Sequence, residues 1–474
     1  PDKTVNVITN SKICSATVQN AALRTMRPYK FTLGVTYSTT RPQLEKLMQD
    51  LQAMLDASPL TNHGTNIVQL ASFGDSSINI LISAYLLTNV YAEFLQMQND
   101  LNLNIMDIMQ KDLIEAMEAG YLGVSSGLVY APSVYASTEE LIELVKVMKP
   151  YGGIYASHIR GEGDNVLRSV QEAIRIGEEG GAPVLISHLK VMGKHNEGTG
   201  QKLLKEIDDA NARGTTVWAD QYPYTASSAP LSSQIPPKYL VDGIPVLLER
   251  LKNPEIRQQI LYSIFHEVDE FESAIYSAGF DGTLIVGASK TPEYVNKTIG
   301  QIAREEGKEP IDALCDVLLA NDASMQGVYF NQCASDLLRI MAHPRVFLGS
   351  DWSDYPDSKV DYEQAGGGHP RGTASTVRRL ELVRDFRLRT LEDSVKNLTY
   401  DTAQAMGIPE HGLLKEGWDA NVCVFDYDRL HATADFAHPY RQSQGIHYVL
   451  VNGKLAVRDG KALGVRAGKV LKRK

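Results

Sequence analysis

One repeated order of elements constrains the fold of this 474-residue chain more than any other feature. An amphipathic helical stretch leads into a short apolar run, and polar residues follow that run. From about residue 105 onward this order occurs five times, with the runs "LGVSSGLVY", "IYASH", "APVLISH", "TTVWADQYPY" and "RVFLGSDW". The order is typical of βα units around a parallel sheet, either an open doubly wound sheet or a closed barrel.

The polar residues after these runs favour the barrel. Just after the apolar part of each run comes a residue that can do chemistry: Tyr130, His158, His188, Asp220 and Asp351. A barrel gathers the C-terminal ends of all its strands on one face, where such residues can meet around one substrate, whereas an open sheet would spread them out. We therefore predict an α/β fold, a (β/α)8 barrel of the TIM type.

Two further stretches differ from the βα units in their residue pattern. Residues 231–325 are helical and charged, with three prolines near their start, which indicates an insertion that serves as a lid or a substrate-recognition subdomain. After about residue 412 short alternating runs predict a small β domain, with a hairpin turn at Asn452-Gly453. The predicted domains are a barrel over 1–411, interrupted at about 231–325, and a C-terminal β domain over 412–474.

Composition excludes several classes of function. A formal net charge of -10 argues against broad nucleic-acid binding, and no apolar run approaches the roughly 18–20 residues of a membrane helix. The four cysteines lie far apart without a C-x-x-C pair, so a reducing compartment, the cytoplasm, is predicted. The chain begins with Pro1 and has no signal-peptide pattern, which fits a processed or incomplete N-terminus.

Two strand ends share the pattern S-H-[IL]-[RK], at His158 and His188. Two imidazoles and the carboxylate of Asp351 on neighbouring strand ends form a reasonable ligand set for a catalytic zinc, which keeps one position open for water. Each residue also has an ordinary interpretation. A histidine after a strand is often a hydrogen-bonded loop residue, and an aspartate in an "SD" loop often caps a turn.

Several motifs in this order resemble the N-acyl-D-amino-acid deacylases, the D-aminoacylase branch of the amidohydrolase superfamily. They are "GVSSGLVYAPSVYASTEELIEL", "YASHIRGEGDNV", "GAPVLISHLKVMGK", "DQYPYTASSAPL" and "GSDW…GGGHPRGTAS". The resemblance covers roughly residues 105–474, and the chain's end resembles the superfamily's C-terminal strand segment. It implies a metal-dependent hydrolase barrel with a small β-sandwich domain. Such an enzyme uses Zn²⁺ to cleave the amide bond of its small-molecule partner, an N-acyl-D-amino acid.

The resemblance also implies roles for individual residues. His158 and His188 match the metal-binding histidines of the middle strands, and Asp351 matches the carboxylate that acts as general base and then general acid. Tyr130, Lys190 and Ser227 fall where the family contacts substrate. Lys190 suits this role because its cation can pair with the free carboxylate of the substrate.

Further residues are implied less directly. Arg371 lies in the glycine-rich "GGGHPRGT" loop, which we predict closes on the substrate. The family carries H-x-H on its first strand, but that motif is absent here, and Cys14 is the nearest match to the family's metal-binding cysteine. We expect either a missing N-terminal section or an altered metal site held by His158, His188 and Cys14. Two alternatives stay open: a cyclic-amide hydrolase of the dihydroorotase or hydantoinase kind, and a catalytically inactive barrel.

Overall fold

The computed structural model describes residues 25–35, 39, 41–73, 78–130, 133–240, 243–288, 290–352 and 367–472. The chain divides into two compact units, Pro1–Asp112 and Leu113–Lys474. The boundary between them falls within a long helix, Tyr91–Glu118. Among the described residues, no helix combines the length and the apolar character that crossing a membrane requires.

The first unit is a three-stranded antiparallel sheet packed against helices. Its elements are β1 (Arg27–Val35), α1 (Arg41–Ala57), β2 (Ile67–Phe73), β3 (Ile78–Leu86) and α2 (Tyr91–Glu118). The strand order is β1-β3-β2. Alternate residues of β3 are buried, and they share one core with Leu51 and Leu55 of α1. When one side of a strand is buried, every second residue is buried, and when one side of a helix is buried, every third or fourth residue is buried.

The second unit begins with four strands that alternate with helices. They are β4 (Gly123–Gly127), α3 (Thr138–Met148), β5 (Ile154–His158), α4 (Val166–Gly180), β6 (Val184–Ile186), α5 (Gly200–Ala212) and β7 (Val217–Gln221). The Ser137 side chain caps α3 by accepting a hydrogen bond from the Glu140 amide at 3.2 Å. Gly181 directly follows α4 and caps its C-terminus, and its φ of 74° lies in the left-handed region that favours glycine.

The alternation is then interrupted by an antiparallel sheet and five helices. They are β8 (Ser227–Pro230), α6 (Ile244–Arg250), α7 (Pro254–His266), α8 (Ala274–Ala278), β9 (Thr283–Val286), α9 (Ile299–Glu306), α10 (Pro310–Ala320) and β10 (Gln326–Tyr329). The strand order is β8-β10-β9. This insertion has its own core, which includes the fully buried Leu247, Ile260 and Leu314. The sequence indicated its helices but not its sheet.

The parallel sheet resumes after α11 (Ala334–Met341) with β11 (Val346–Leu348). Its strand order is β11-β7-β6-β5-β4, and every neighbouring pair is parallel. The C-terminal ends of these five strands therefore lie along one edge. Helices α3, α4 and α5 cover the sheet, and Val145, Val184 and Ile207 are fully buried between them.

The last part of the chain is helical and then antiparallel. It contains α12 (Arg371–Phe386), α13 (Leu391–Lys396), α14 (Thr402–Ala405), β12 (Val422–Phe425), β13 (Ile446–Val451), β14 (Lys454–Arg458) and β15 (Lys461–Ala462). The sheet order is β12-β13-β14-β15. The predicted hairpin turn joins β13 and β14, with φ of 48° at Asn452 and 73° at Gly453. Positive φ at both positions is what a type I′ turn requires.

The units in the structure differ from the domains predicted from the sequence. We predicted a barrel over 1–411, but the first parallel strand begins at Gly123, and the three strands before it pair with one another in the first unit. The range predicted as a C-terminal β domain, 412–474, holds a four-stranded antiparallel sheet among its described residues. Alternating apolar residues occur in parallel and antiparallel strands alike, so this pattern alone did not locate the boundary.

Helix α4 packs against β6 through a glycine that leaves no room for a side chain. A Cβ on Gly177 would lie 2.1 Å from Cγ2 of Val184. We expect Gly177→Ala to lower the free energy of unfolding of the second unit by about 1–3 kcal/mol, because one element must move. Chemical denaturation measures this change. Glu179→Ala, on the exposed side of the same helix, is the control, and an equal loss in both variants would contradict the packing argument.

Candidate metal centre at the strand ends

Two histidines from adjacent strands meet at the C-terminal edge of the parallel sheet. His158 is the last residue of β5, and His188 follows two residues after the end of β6. Ser157 pairs with Ile186 in the parallel register, so the two strand ends lie side by side. The imidazole centroids are 4.4 Å apart. The structure thus brings together the two histidines that the sequence predicted to converge.

The backbone at the site is held in an unfavourable conformation. His188 has φ of 39° and Asp351 has φ of 49°. A left-handed conformation costs a residue with a Cβ about 1–2 kcal/mol, and such residues cluster at functional sites. The side chain of Asp220, at the end of β7, stabilises this turn by accepting a hydrogen bond from the His188 amide at 2.9 Å. Burial raises the pKa of Asp220.

Glu162 completes a group of three possible metal ligands. Its Oε1 atom lies 3.0 Å from Nδ1 of His188 and 3.9 Å from Nε2 of His158. The ligand atoms of the three residues all lie within 4.8 Å of one another. Imidazole nitrogen and carboxylate oxygen are the donors that catalytic zinc takes from proteins. Sequence reasoning missed Glu162, although an acid four residues after His158 in "SHIRGEGDN" was an available signal.

Lys190 lies inside this group. Its Nζ atom contacts Oε1 of Glu162 and lies 2.7 Å from Nδ1 of His188, and the residue is only 3% exposed. Burial alone would raise the pKa of Glu162, but Lys190 and the two histidines outweigh it and hold that pKa well below its usual range. Lys190 was predicted to bind substrate; in the structure it pairs with Glu162, so binding a substrate carboxylate requires an exchange of partners.

His158 is held in the form that can bind a metal. Burial, opposed by the negative charge of Glu162, lowers the pKa of His158 to about 3. The imidazole is therefore neutral near pH 7, as metal coordination requires. The ring of Tyr130 lies beside it, with centroids 5.0 Å apart. Tyr130 thus lies beside one histidine of the centre, and its contact with substrate stays a prediction.

Asp351 and Arg371, predicted separately as catalytic and substrate-binding residues, form an ion pair. Oδ2 of Asp351 lies 2.7 Å from Nη1 of Arg371. The guanidinium also lies over the Tyr222 ring, 4.8 Å from its centroid. Burial would raise the pKa of Asp351, but His188 and the guanidinium of Arg371 outweigh it and hold that pKa below its usual value. Asp351 is therefore ionised and able to accept a proton.

Ser227 and Cys14 are the other two residues that the sequence predicted for the site. Ser227 begins β8, and Nδ2 of Asn331 donates to its Oγ atom at 3.0 Å, which ties Ser227 to the antiparallel sheet of the insertion. Cys14 lies outside the described residues, and its role as a metal ligand stays a prediction. His369 accepts a hydrogen bond from the Arg371 amide at 3.1 Å and so helps to orient the start of α12.

Residues 153–457 match the model of the amidohydrolase family. This range covers more than half of the chain, and the chain therefore belongs to the amidohydrolase family. A curated relative, D-aminoacylase of Alcaligenes xylosoxydans xylosoxydans, is 32% identical over 359 residues, which cover 76% of this chain and 63% of that protein. The chain thus spans less than two thirds of the length of this relative.

Two solved structures are similar to the chain. A crystal structure of D-aminoacylase has a TM-score of 0.62 and 31% identity, and covers 78% of this chain and 67% of its own. N-acyl-D-glutamate deacylase from Bordetella bronchiseptica, complexed with zinc and a phosphonate inhibitor, has a TM-score of 0.60 and 30% identity, with coverages of 78% and 66%. The predicted resemblance to the deacylases and the predicted barrel class are confirmed.

The first unit is similar to a different family. Residues 29–116 match the model of the C-terminal region of the mechanosensitive ion channel MscS. This range ends close to the boundary between the two compact units, at Asp112. The match explains why the deacylase motifs begin only after about residue 105.

Proposed function

We propose that this protein hydrolyses the amide bond of N-acyl-D-amino acids with the help of Zn²⁺, giving a carboxylate and a free D-amino acid. The observation that carries the proposal is the convergence of His158, Glu162 and His188 beside the ionised Asp351. The similarity to D-aminoacylase and to N-acyl-D-glutamate deacylase supports a linear amide as the substrate.

The donor set fits zinc. Two imidazoles and one carboxylate equal the three protein ligands of many catalytic zinc sites, which leave a fourth position for water or substrate. Glu162 supplies the third donor without the H-x-H motif, which this sequence lacks. When bound, Zn²⁺ polarises the amide carbonyl and makes water a nucleophile at neutral pH.

Asp351 provides the proton transfers. Its carboxylate accepts the proton of the attacking water, because the neighbouring positive charges keep it ionised. Asp351 then donates that proton to the departing nitrogen, since an amide nitrogen is a poor leaving group until it is protonated. Arg371 orients the carboxylate through its contact of 2.7 Å.

The substrate's own carboxylate is recognised by Lys190 and Arg371. Both cations are buried at the centre, at 3% and 6% exposure, and a carboxylate gains most from a cation that is shielded from water. Tyr130 lines the same region beside His158. We also propose that the protein is cytoplasmic. Among the described residues, three cysteines form no disulfide, as expected in a reducing compartment: Cys315, Cys333 and Cys423.

The proposal is tested by turnover. The zinc-loaded chain is expected to release free amino acid from N-acetyl-D-amino acids, to leave the L enantiomers intact, and to lose this activity when a chelator removes the metal. Release of amine is measured for these linear substrates, and loss of the ring amide absorbance is measured for hydantoin and dihydrouracil, whose hydrolysis gives an N-carbamoyl amino acid and no free amine. Cleavage of the cyclic amides alone would favour the cyclic-amide alternative. Absence of both turnover and bound metal would favour an inactive barrel.

A further inference from the structure

The loop that presents Glu162 is held by a residue of the insertion. Glu272 accepts hydrogen bonds from three backbone amides of this loop: the Glu162 amide at 2.8 Å, the Gly163 amide at 2.8 Å and the Asn165 amide at 2.5 Å. Burial raises the pKa of the Glu272 carboxyl, and the three backbone donors act against this by favouring its ionised form. Glu272 lies between α7 and α8, more than a hundred residues further along the chain.

The loop is shaped for this close approach. A Cβ on Gly161 would lie 2.9 Å from Oε2 of Glu272, closer than real Cβ contacts occur, and 3.0 Å from Cβ of Asn165. A Cβ on Gly163 would lie 3.4 Å from the same Oε2 atom. Gly161 therefore lets the carboxylate lie against the loop backbone, whereas a Cβ at position 163 would make an ordinary contact.

Glu272 is itself anchored in the insertion. The next residue, Ser273, is fully buried and caps α8 by accepting a hydrogen bond from the Ile275 amide at 3.2 Å. Oε1 of Gln234 accepts a hydrogen bond from the Ala274 amide at 2.6 Å. The position of the Glu272 carboxylate is thus set by the core of the insertion and not by the strand that carries His158.

We propose that Glu272 is a positioning residue for the metal centre, through which the insertion holds Glu162 at the distance a metal requires. The proposal rests on the proposed function to the extent that Glu162 binds zinc. A metal ligand must lie within a few tenths of an ångström of its ideal distance, so a small shift of the loop weakens binding. Loss of a residue that orients a ligand typically costs about 10- to 100-fold in metal affinity.

The test compares Glu272→Gln with a matched variant. Asp336→Asn alters a buried carboxylate that likewise accepts backbone hydrogen bonds, from Gly198 at 2.8 Å and Gly200 at 3.1 Å, at the start of α5. Zinc affinity is measured by competition with a chromogenic chelator. We expect about 10- to 100-fold weaker binding for Glu272→Gln and an unchanged affinity for Asp336→Asn. Unchanged affinity in Glu272→Gln, or an equal loss in both variants, would overturn the proposal.

Hydrogen exchange of the metal-free protein separates this proposal from the proposed function. In Glu272→Gln, the amides of residues 162–165 are expected to exchange faster, while those of the neighbouring strand β5 are unaffected. This result requires neither zinc nor turnover. If the wild-type chain bound no zinc, the proposed function would fail, but faster exchange in this loop would still support the positioning role. Unchanged exchange would reject it.

Discussion

Replacing Asp351 with asparagine is expected to lower kcat by about 10²- to 10⁴-fold, the usual contribution of general acid and base catalysis. The amide has the shape of the carboxylate but cannot accept a proton from water. Asp351 also lies outside the group of His158, Glu162 and His188, whose ligand atoms are close together. The zinc content of the variant is therefore expected to stay close to that of the wild type.

The measurement pairs turnover of an N-acetyl-D-amino acid with elemental analysis of bound zinc. Asp209→Asn is the control, because Asp209 forms an exposed ion pair with Lys205 on α5, where a change of charge has little effect. Near-normal turnover in Asp351→Asn would remove this residue from the mechanism. Loss of zinc together with activity would instead make Asp351 a metal ligand.

The parallel half of the fold follows from local patterns. Each of the helical stretches that lead into β5, β6, β7 and β11 is a helix in the structure, and the four strands are parallel neighbours. A helix between two strands returns the chain to the same end of the sheet, so the order of elements already implies parallel pairing. This is why the convergence of His158 and His188 could be predicted.

The first unit could not be separated from the barrel in the same way. Strand β3 alternates between buried and less buried residues, much as a barrel strand does. Its antiparallel pairing depends on which strands meet across the sheet, and hydrophobic periodicity does not encode that choice. The similarity of residues 29–116 to the MscS C-terminal region supplied the missing distinction.

The sequence predicted residues at or just after the strand ends, and it missed Glu162, which lies further along a loop. His158 is the last residue of a strand, and its position follows from the strand register. Glu162 reaches the centre only because the loop after β5 turns back, and Glu272 of the insertion holds that turn. A hydrogen bond across 110 residues leaves no local pattern in the sequence. The pairing of Lys190 with Glu162 was missed for the same reason.

Glu162→Gln replaces an anionic metal ligand with a neutral amide. Loss of a residue that only orients a ligand typically costs about 10- to 100-fold in metal affinity, and we expect Glu162→Gln to weaken zinc binding by more than that. It should also destabilise the protein. Lys190 is only 3% exposed and pairs with Glu162, and breaking a buried ion pair by removing one partner costs about 3–5 kcal/mol. In this single variant, a loss of zinc could therefore result either from the missing ligand or from the lower stability of the fold.

The double variant Glu162→Gln, Lys190→Met separates the two roles. It removes both charges, so the free energy of unfolding is expected to return toward the wild-type value, whereas zinc affinity stays low. Denaturation and chelator competition measure the two quantities on the same samples. Recovery of zinc affinity in the double variant would show that Glu162 is only the partner of Lys190.

The variant Cys14→Ser tests the other candidate for the third ligand. We expect its zinc affinity to be unchanged if Glu162 is that ligand, and a loss of zinc would assign the position to the cysteine.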